Sequence, residues 1–218
     1  MQRQLLTTMA PRFTLTYFDI RGKAEVIRLM FAASGVEFED KRIAVEDWSK
    51  IKPSTPFGRL PILEFDGNVL PETKAIAGFV ARATGLYGQS SLEQARIDVV
   101  MEIIHDLQLT FAIGQVQKDA KNKEELTKSF FEKDCLKFVN WLEGLLVQNK
   151  GGDGFFVGDS VSMADLDFYA GHELLLKGNP AAFQNAPKLT SLIARVEEIP
   201  KIKDWLPNRP AKFSFTMP

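Results

Sequence analysis

Few side chains in this sequence are equipped for chemistry. His105 and His172 are the only histidines and Cys135 the only cysteine among 218 residues. No spacing of His, Cys, Asp and Glu makes a metal-ligand set, which argues against a zinc or haem site. The sequence has no GxSxG nucleophile elbow, no P-loop and no GxGxxG after a strand. The cluster Gly151-Gly152-Asp153-Gly154 follows a helical stretch and leads to no Gly-Lys-Ser/Thr. It reads as a surface turn, because a phosphate cradle needs amides at a helix N-terminus. Cys135 sits on an apolar helical stripe and reads as a buried, inert thiol. Two features are more promising. Tyr17 falls at the carboxyl end of a strand, where ligands collect in α/β sheets, although a lone tyrosine there also serves as core or rim filler. Leu60-Pro61 opens another strand, and only an X-Pro bond adopts the cis form readily. A cis bond would leave the backbone of Leu60 free to pair with a peptide-like ligand. The Asp66-Gly67 turn and a helix start at Glu72-Thr73 follow closely.

The elements that must position these residues are legible from periodicity. Arg12–Phe18 alternates as a strand, and from Lys23 apolar residues recur at helical spacing until Gly35. Val36–Ala44 reads as a more exposed strand and Trp48–Leu60, with Pro53, Pro56 and Gly58, as an irregular loop. Pro61–Phe65 and Asn68–Leu70 make a hairpin about Asp66-Gly67. A helix over Thr73–Ala83 ends at Thr84-Gly85. The second half changes character: Leu92–Leu109 and Leu126–Val147 are long helical stretches almost without Gly or Pro. Ser162 and Asp165 form a capping box for a third helix. More helix follows over Lys188–Glu198, and Pro200, Pro207 and Pro210 close the chain. The boundary between the α/β part and the all-helical part falls near Gly88–Ser91.

Composition excludes several classes. Hydrophobic residues make up 45% and charged residues 25%, enough apolar surface for a packed core. Lys+Arg is 27 against Asp+Glu 28, and neither half builds a field suited to nucleic acid or an anionic membrane. No apolar run reaches the roughly 20 residues of a membrane span, and Met1–Ala10 is too poor in apolar length for a signal peptide. A single cysteine allows no internal disulfide, so a reducing cytoplasm is the expected setting.

Several of these pieces together carry a family resemblance. Leu15-Thr16-Tyr17-Phe18, Arg21-Gly22-Lys23-Ala24-Glu25, Asp47-Trp48, Pro56-Phe57-Gly58-Arg59-Leu60-Pro61 and Ser162-Met163-Ala164-Asp165 resemble the cytosolic glutathione S-transferases along nearly the whole chain. Tyr17-Phe18 with Trp48 and Lys52 resembles the sigma class. Leu142–Val147 and Gly151–Gly158 are similar to its molluscan enzymes and lens S-crystallins. The resemblance implies an α/β thioredoxin-like N-terminal domain over residues 11–88, an all-α C-terminal domain over 91–214 and a flexible N-terminal extension over 1–10. It also implies a cytoplasmic homodimer with glutathione as co-substrate, a small hydrophobic electrophile as second substrate, and no further cofactor, metal, nucleic acid or membrane partner.

Residue by residue, the resemblance makes Tyr17 the catalytic hydroxyl. Only a few per cent of a thiol with pKa near 8.5 is thiolate at pH 7, and the thiolate is the nucleophile. A hydrogen bond to the anion, worth roughly 1.5–3 kcal/mol, lowers that pKa by about one to two units. Phe18, Lys23, Trp48, Lys52, Gly58, Arg59, Leu60, Pro61, Glu72, Thr73 and Asp106 fall at glutathione-binding positions. Lys52 would neutralise the glycine carboxylate, Leu60 would pair with the cysteinyl backbone, and Asp106 would reach the ammonium across the dimer. Lys23 replaces the usual arginine. Phe18, Phe111 and Tyr169 are the expected walls of the electrophile pocket. The sequence departs from the family at Glu72, where a glutamine should hold the γ-glutamyl carboxylate: a carboxylate has no donor and repels the ligand. Two further outcomes therefore stay open, a homologue with weakened or lost glutathione binding serving as a ligand-binding or structural, crystallin-like protein, and a glutathione-dependent prostaglandin D synthase.

Overall fold

A computed structural model describes residues 13–213. The extension expected over 1–10 lies outside the described residues, as does the Arg12 end of the first strand. Strand β1 (Phe13–Phe18) is followed by a 3-10 turn (Gly22–Ala24) and helix α1 (Glu25–Ser34), which Gly35 terminates in a left-handed conformation at φ 69°. Strand β2 (Glu39–Ile43) alternates between exposed and half-buried positions until Ile43. Strands β3 (Ile62–Phe65) and β4 (Asn68–Pro71) form the expected hairpin, and helix α3 (Thr73–Thr84) ends at Gly85, again left-handed. The sheet order is β2-β1-β3-β4, with β1 and β2 parallel and the other pairs antiparallel. A central strand flanked by an exposed edge strand explains why β1 is buried on both faces from Leu15 onward, Thr16 included, while β2 alternates.

The segment expected to be irregular is instead wound into short turns. Helix α2 (Trp48–Ile51) runs into 3-10 turns at Lys52–Ser54 and Pro56–Gly58. Pro53 and Pro56 sit at the first positions of those turns, where a fixed φ and a missing N–H cost nothing.

The helical half begins at α4 (Ser91–Gln115), longer than its clear periodicity because nothing breaks the helix after Leu109. The stretch expected as one helix divides into α5 (Ala120–Ser129), a π-helical turn (Phe130–Asp134) and α6 (Cys135–Gln148). The π turn leaves the Phe131 carbonyl to accept from Asn179 Nδ2 at 2.9 Å, a partner the local sequence does not announce. Helix α7 (Met163–Gly178) starts on the anticipated capping box of Ser162 and Asp165. Helix α8 (Pro187–Glu197) and a short α9 (Pro200–Trp205) complete the chain. Pro200 thus opens a helix where the sequence reading had it closing the chain. Helix α1 packs against both α3 and α7, so the apolar residues of the sheet half and the helical half join in one buried cluster.

Candidate functional site

Three elements converge where the carboxyl end of β1 meets the starts of α1 and α3. The last residues of β1 carry Tyr17 and Phe18, both buried. The Tyr17 hydroxyl accepts a hydrogen bond from the backbone N–H of Lys23 at 3.3 Å. Burial raises the pKa of Tyr17 above its ordinary value, outweighing the Lys23 N–H and the charge of Arg28. The phenol therefore keeps its proton, which remains free to be donated. Arg28 itself is fully buried and fixed by Asp40 at 2.8 Å and the Ile20 carbonyl at 2.9 Å, so the charge near the Tyr17 ring is immobile.

The turns after β2 bring further residues alongside. Trp48 is half-buried and meets Phe18 edge to face, centroids 5.5 Å apart. Lys52 is exposed, with its stem lying over Gly58: a Cβ on that glycine would sit 3.2 Å from Lys52 Cε, and φ is +60°. Arg59 is exposed, Leu60 half-buried, Pro61 buried, and the Leu60-Pro61 bond is cis.

Beside these lies a cleft of about 260 Å³ between the two halves. Gly22, Lys23 and Val26 form one wall and Glu72, Thr73, Lys74 and Ala77 of α3 another. Helix α4 adds Met101, His105, Gln108, Leu109 and Ala112, and α7 adds Asp167 and Ala170. Glu72 is the residue before α3; its backbone stands at φ 72°, ψ 120°, and its side chain caps nothing. Such a backbone is nearly confined to glycine and costs of order 1–3 kcal/mol. Lys74 pairs with Glu102 at 2.6 Å on a largely exposed surface. Asp167 is buried, and burial pushes its carboxyl up to about 7 against the opposing charge of Lys74.

Of the residues singled out in the sequence, Lys23, Glu72 and Thr73 line this cleft. None of the three aromatics expected to wall the electrophile pocket does: Phe18 is buried against Tyr17 and Trp48. Phe111 is buried among Phe130 and Phe131, centroids 5.1 and 5.7 Å away. Tyr169 is turned into the core, its hydroxyl donating to Glu197 Oε1 at 2.9 Å and its ring 4.8 Å from His172. Asp106 is exposed on α4 and is not part of the lining. Lys74, His105 and Asp167 were not assigned to the site from the sequence. No local signal marks them, since their placement depends on which faces of α3, α4 and α7 meet. Cys135 is buried with its thiol pushed up to about 11, in line with an inert residue. A shallow depression of about 510 Å³ between α5 and the π turn shares no residue with the cleft.

Comparison with known proteins gives the same picture along the whole chain. Residues 13–82 match the family model for the glutathione S-transferase N-terminal domain, and 105–209 that for a glutathione S-transferase C-terminal domain. The chain is 38% identical over 207 residues to glutathione S-transferase 1 of Ascaris suum, covering 92% of this chain and 98% of that one. It is 35% identical over 200 residues to S-crystallin SL11 of Nototodarus sloanii, covering 91% and 97%. Among solved structures, rat hPGDS complexed with a quinoline superimposes with a TM-score of 0.84 at 33% identity, covering 94% of this chain and all of that one. A glutathione S-transferase of Necator americanus described as monomeric, Na-GST-3, gives 0.81 at 34% identity, covering 92% and 98%.

Proposed function

The chain belongs to the glutathione S-transferase family, and from that premise we propose that it conjugates the thiolate of glutathione to small electrophiles, with Tyr17 as the catalytic hydroxyl. The observation that supports this reading is the setting of Tyr17: a phenol that burial holds still further from ionising, its oxygen already occupied by the Lys23 N–H and its proton available to a sulfur at the end of β1. A thiolate there gains one donor that the neutral thiol needs less, so the bond favours the nucleophilic form. Trp48, Lys52, Gly58, Arg59 and the backbone of Leu60 beside Pro61 would hold the glycyl and cysteinyl parts. Thr73 and the amides at the start of α3 would take the γ-glutamyl carboxylate, with Lys23 as a nearby cation and Glu72 weakening the contact. Phe18 lies behind Tyr17 and Trp48 and would keep both rings in place. We divide the chain between residues 88 and 91 and assign it to the cytoplasm.

Calorimetric titration with glutathione, paired with conjugation rates, tests this. Tyr17→Phe is expected to lower conjugation about 10- to 100-fold while changing glutathione affinity less than about twofold, because the hydroxyl acts on the thiolate and not on the carboxylates. A variant as active as the wild type would remove Tyr17 from the role. A wild type that fails to bind glutathione at millimolar concentration would leave only the non-enzymatic outcome.

A homodimer is part of the same proposal. Asp106 is exposed on α4, free to meet a second subunit's ligand. Phe57 is 77% exposed in a left-handed backbone at φ 57°, a costly place for a large apolar ring in a monomer. Light scattering at micromolar concentration should return twice the chain mass of 24.5 kDa, and Phe57→Ser should shift the population toward the monomer. A wild-type mass equal to one chain would refute it.

A further inference from the structure

The cleft contains one group that the transferase reading leaves unused. Asp167 of α7 is 9% exposed, lines the cleft, and has no hydrogen-bond or ion-pair partner for its carboxyl among the described residues. The carboxyl is not sealed off like the buried, unpartnered Thr16 Oγ1, Glu25 Oε1 and Trp205 Nε1; its oxygens stand open to the cleft, where a ligand can meet them. Two residues earlier on the same helix, Asp165 accepts three hydrogen bonds, so the difference is not a property of the helix. Val26, Ala77, Met101 and Ala170 supply apolar lining to the same cleft. The charged or titratable groups that share it are Lys23 before α1, Glu72 and Lys74 at the start of α3, and His105 of α4. Of these Lys74 is engaged by Glu102 at 2.6 Å.

We propose that Asp167 sets which electrophiles this chain accepts, donating a hydrogen bond from its neutral carboxyl to the carbonyl oxygen of an α,β-unsaturated carbonyl compound held in the cleft. The proposal rests on the transferase reading. Burial, by holding the carboxyl up to about 7, keeps a substantial part of it protonated at neutral pH, and a protonated carboxyl has one O–H to give. In the reaction, the glutathione thiolate forms the new C–S bond at the β-carbon. The electron pair of the C=C bond moves into an enolate whose oxygen accepts from Asp167. The α-carbon then takes a proton from water, so that S–H has been added across the double bond and no group leaves. The donor strengthens as charge builds on oxygen, which favours the transition state over the bound enone. An aryl halide has no carbonyl for Asp167 to serve and gives up halide instead.

The test is the ratio of kcat/KM for benzylideneacetone to that for a chlorodinitrobenzene, measured on wild type, Asp167→Leu and Asp167→Asn. The ratio is independent of the fraction of each preparation that is folded. In Asp167→Leu it should fall about 10- to 100-fold, through kcat more than KM, as expected for a lost transition-state donor. Asp167→Asn keeps an N–H donor and should restore it to within about fivefold of wild type. An unchanged ratio in the leucine variant, or equal falls in both variants, overturns the proposal while the transferase reading stands. So does a wild type active on the aryl halide but not on the enone. A wild type inactive on both substrates overturns the transferase reading, and this proposal with it.

Discussion

The starts of helices α7 and α3 are built on opposite terms. At α7, Asp165 accepts from the Phe156 N–H at 2.8 Å, the Ser162 N–H at 2.8 Å and the Ser162 hydroxyl at 2.7 Å. Every polar group there is spoken for, and the backbone is relaxed. At α3, Glu72 stands at φ 72° with a side chain that caps nothing, although a serine, threonine or aspartate in an extended backbone would do that at no conformational cost. One helix start is buried inside the core and the other opens on the cleft. The same contrast runs along α7 itself, where Asp165 is satisfied and Asp167 is not. At these two helix starts and along α7, the partnered carboxyl sits in the core, while the strained backbone of Glu72 and the open carboxyl of Asp167 face the cleft.

Three substitutions sharpen or break that contrast. The largest effect belongs to Asp165→Ala, which strands two buried N–H groups and a hydroxyl. A loss of about 4 kcal/mol in unfolding free energy is expected, read from urea denaturation. A loss below about 1 kcal/mol would mean that the cap is ornamental.

Asp167→Asn should act with the opposite sign. Burial holds Asp167 at about 7 and Asp165 at about 6. The folded protein binds these protons more tightly than the unfolded chain. Their stabilising contribution is thus complete below about pH 4 and is lost as pH rises through 6 to 7. Asparagine cannot ionise, so the variant should be more stable than wild type by about 2 kcal/mol at pH 8, about half the ceiling implied by a three-unit displacement, because the cleft admits some water. The advantage should shrink as pH falls and disappear only below about pH 4. Equal urea midpoints at pH 8 would show that Asp167 has found a partner.

Glu72→Gln should change binding more than stability. It exchanges a like charge beside the γ-glutamyl carboxylate for a donor, and glutathione affinity is expected to improve by about 1–2 kcal/mol, roughly 5- to 30-fold. Raising salt should close part of the gap between the two proteins, since the repulsion is partly exposed. Identical dissociation constants would make Glu72 a helix-start residue with no part in binding.

Much of this molecule was readable residue by residue. Alternation gave β1, the Asp66-Gly67 turn gave the hairpin, Gly35 and Gly85 marked the ends of α1 and α3, and Ser162 with Asp165 marked the start of α7. Each of those signals is local: it depends on side chains within a few positions and on backbone preferences that tertiary contacts did not override. Tyr17 at a strand end and Glu72-Thr73 at a helix start were also placed this way, because strand ends and helix starts announce themselves. The composition of the cleft did not. Periodicity identifies α7 as buried on most of its surface, but a residue in a helix turns about 100° from the last, so Tyr169 and Asp167, two positions apart, point about 200° from each other. Both are buried, one against Glu197 and His172 and the other into the cleft, and nothing in the alternation of apolar residues distinguishes the two. The same holds for Phe111 and for the π turn at Phe130–Asp134, whose freed carbonyl is met by Asn179, 48 residues along the chain. The sequence decided which side chains leave water; only the docking of α4 and α7 against α1 and α3 decided which of them a ligand would touch.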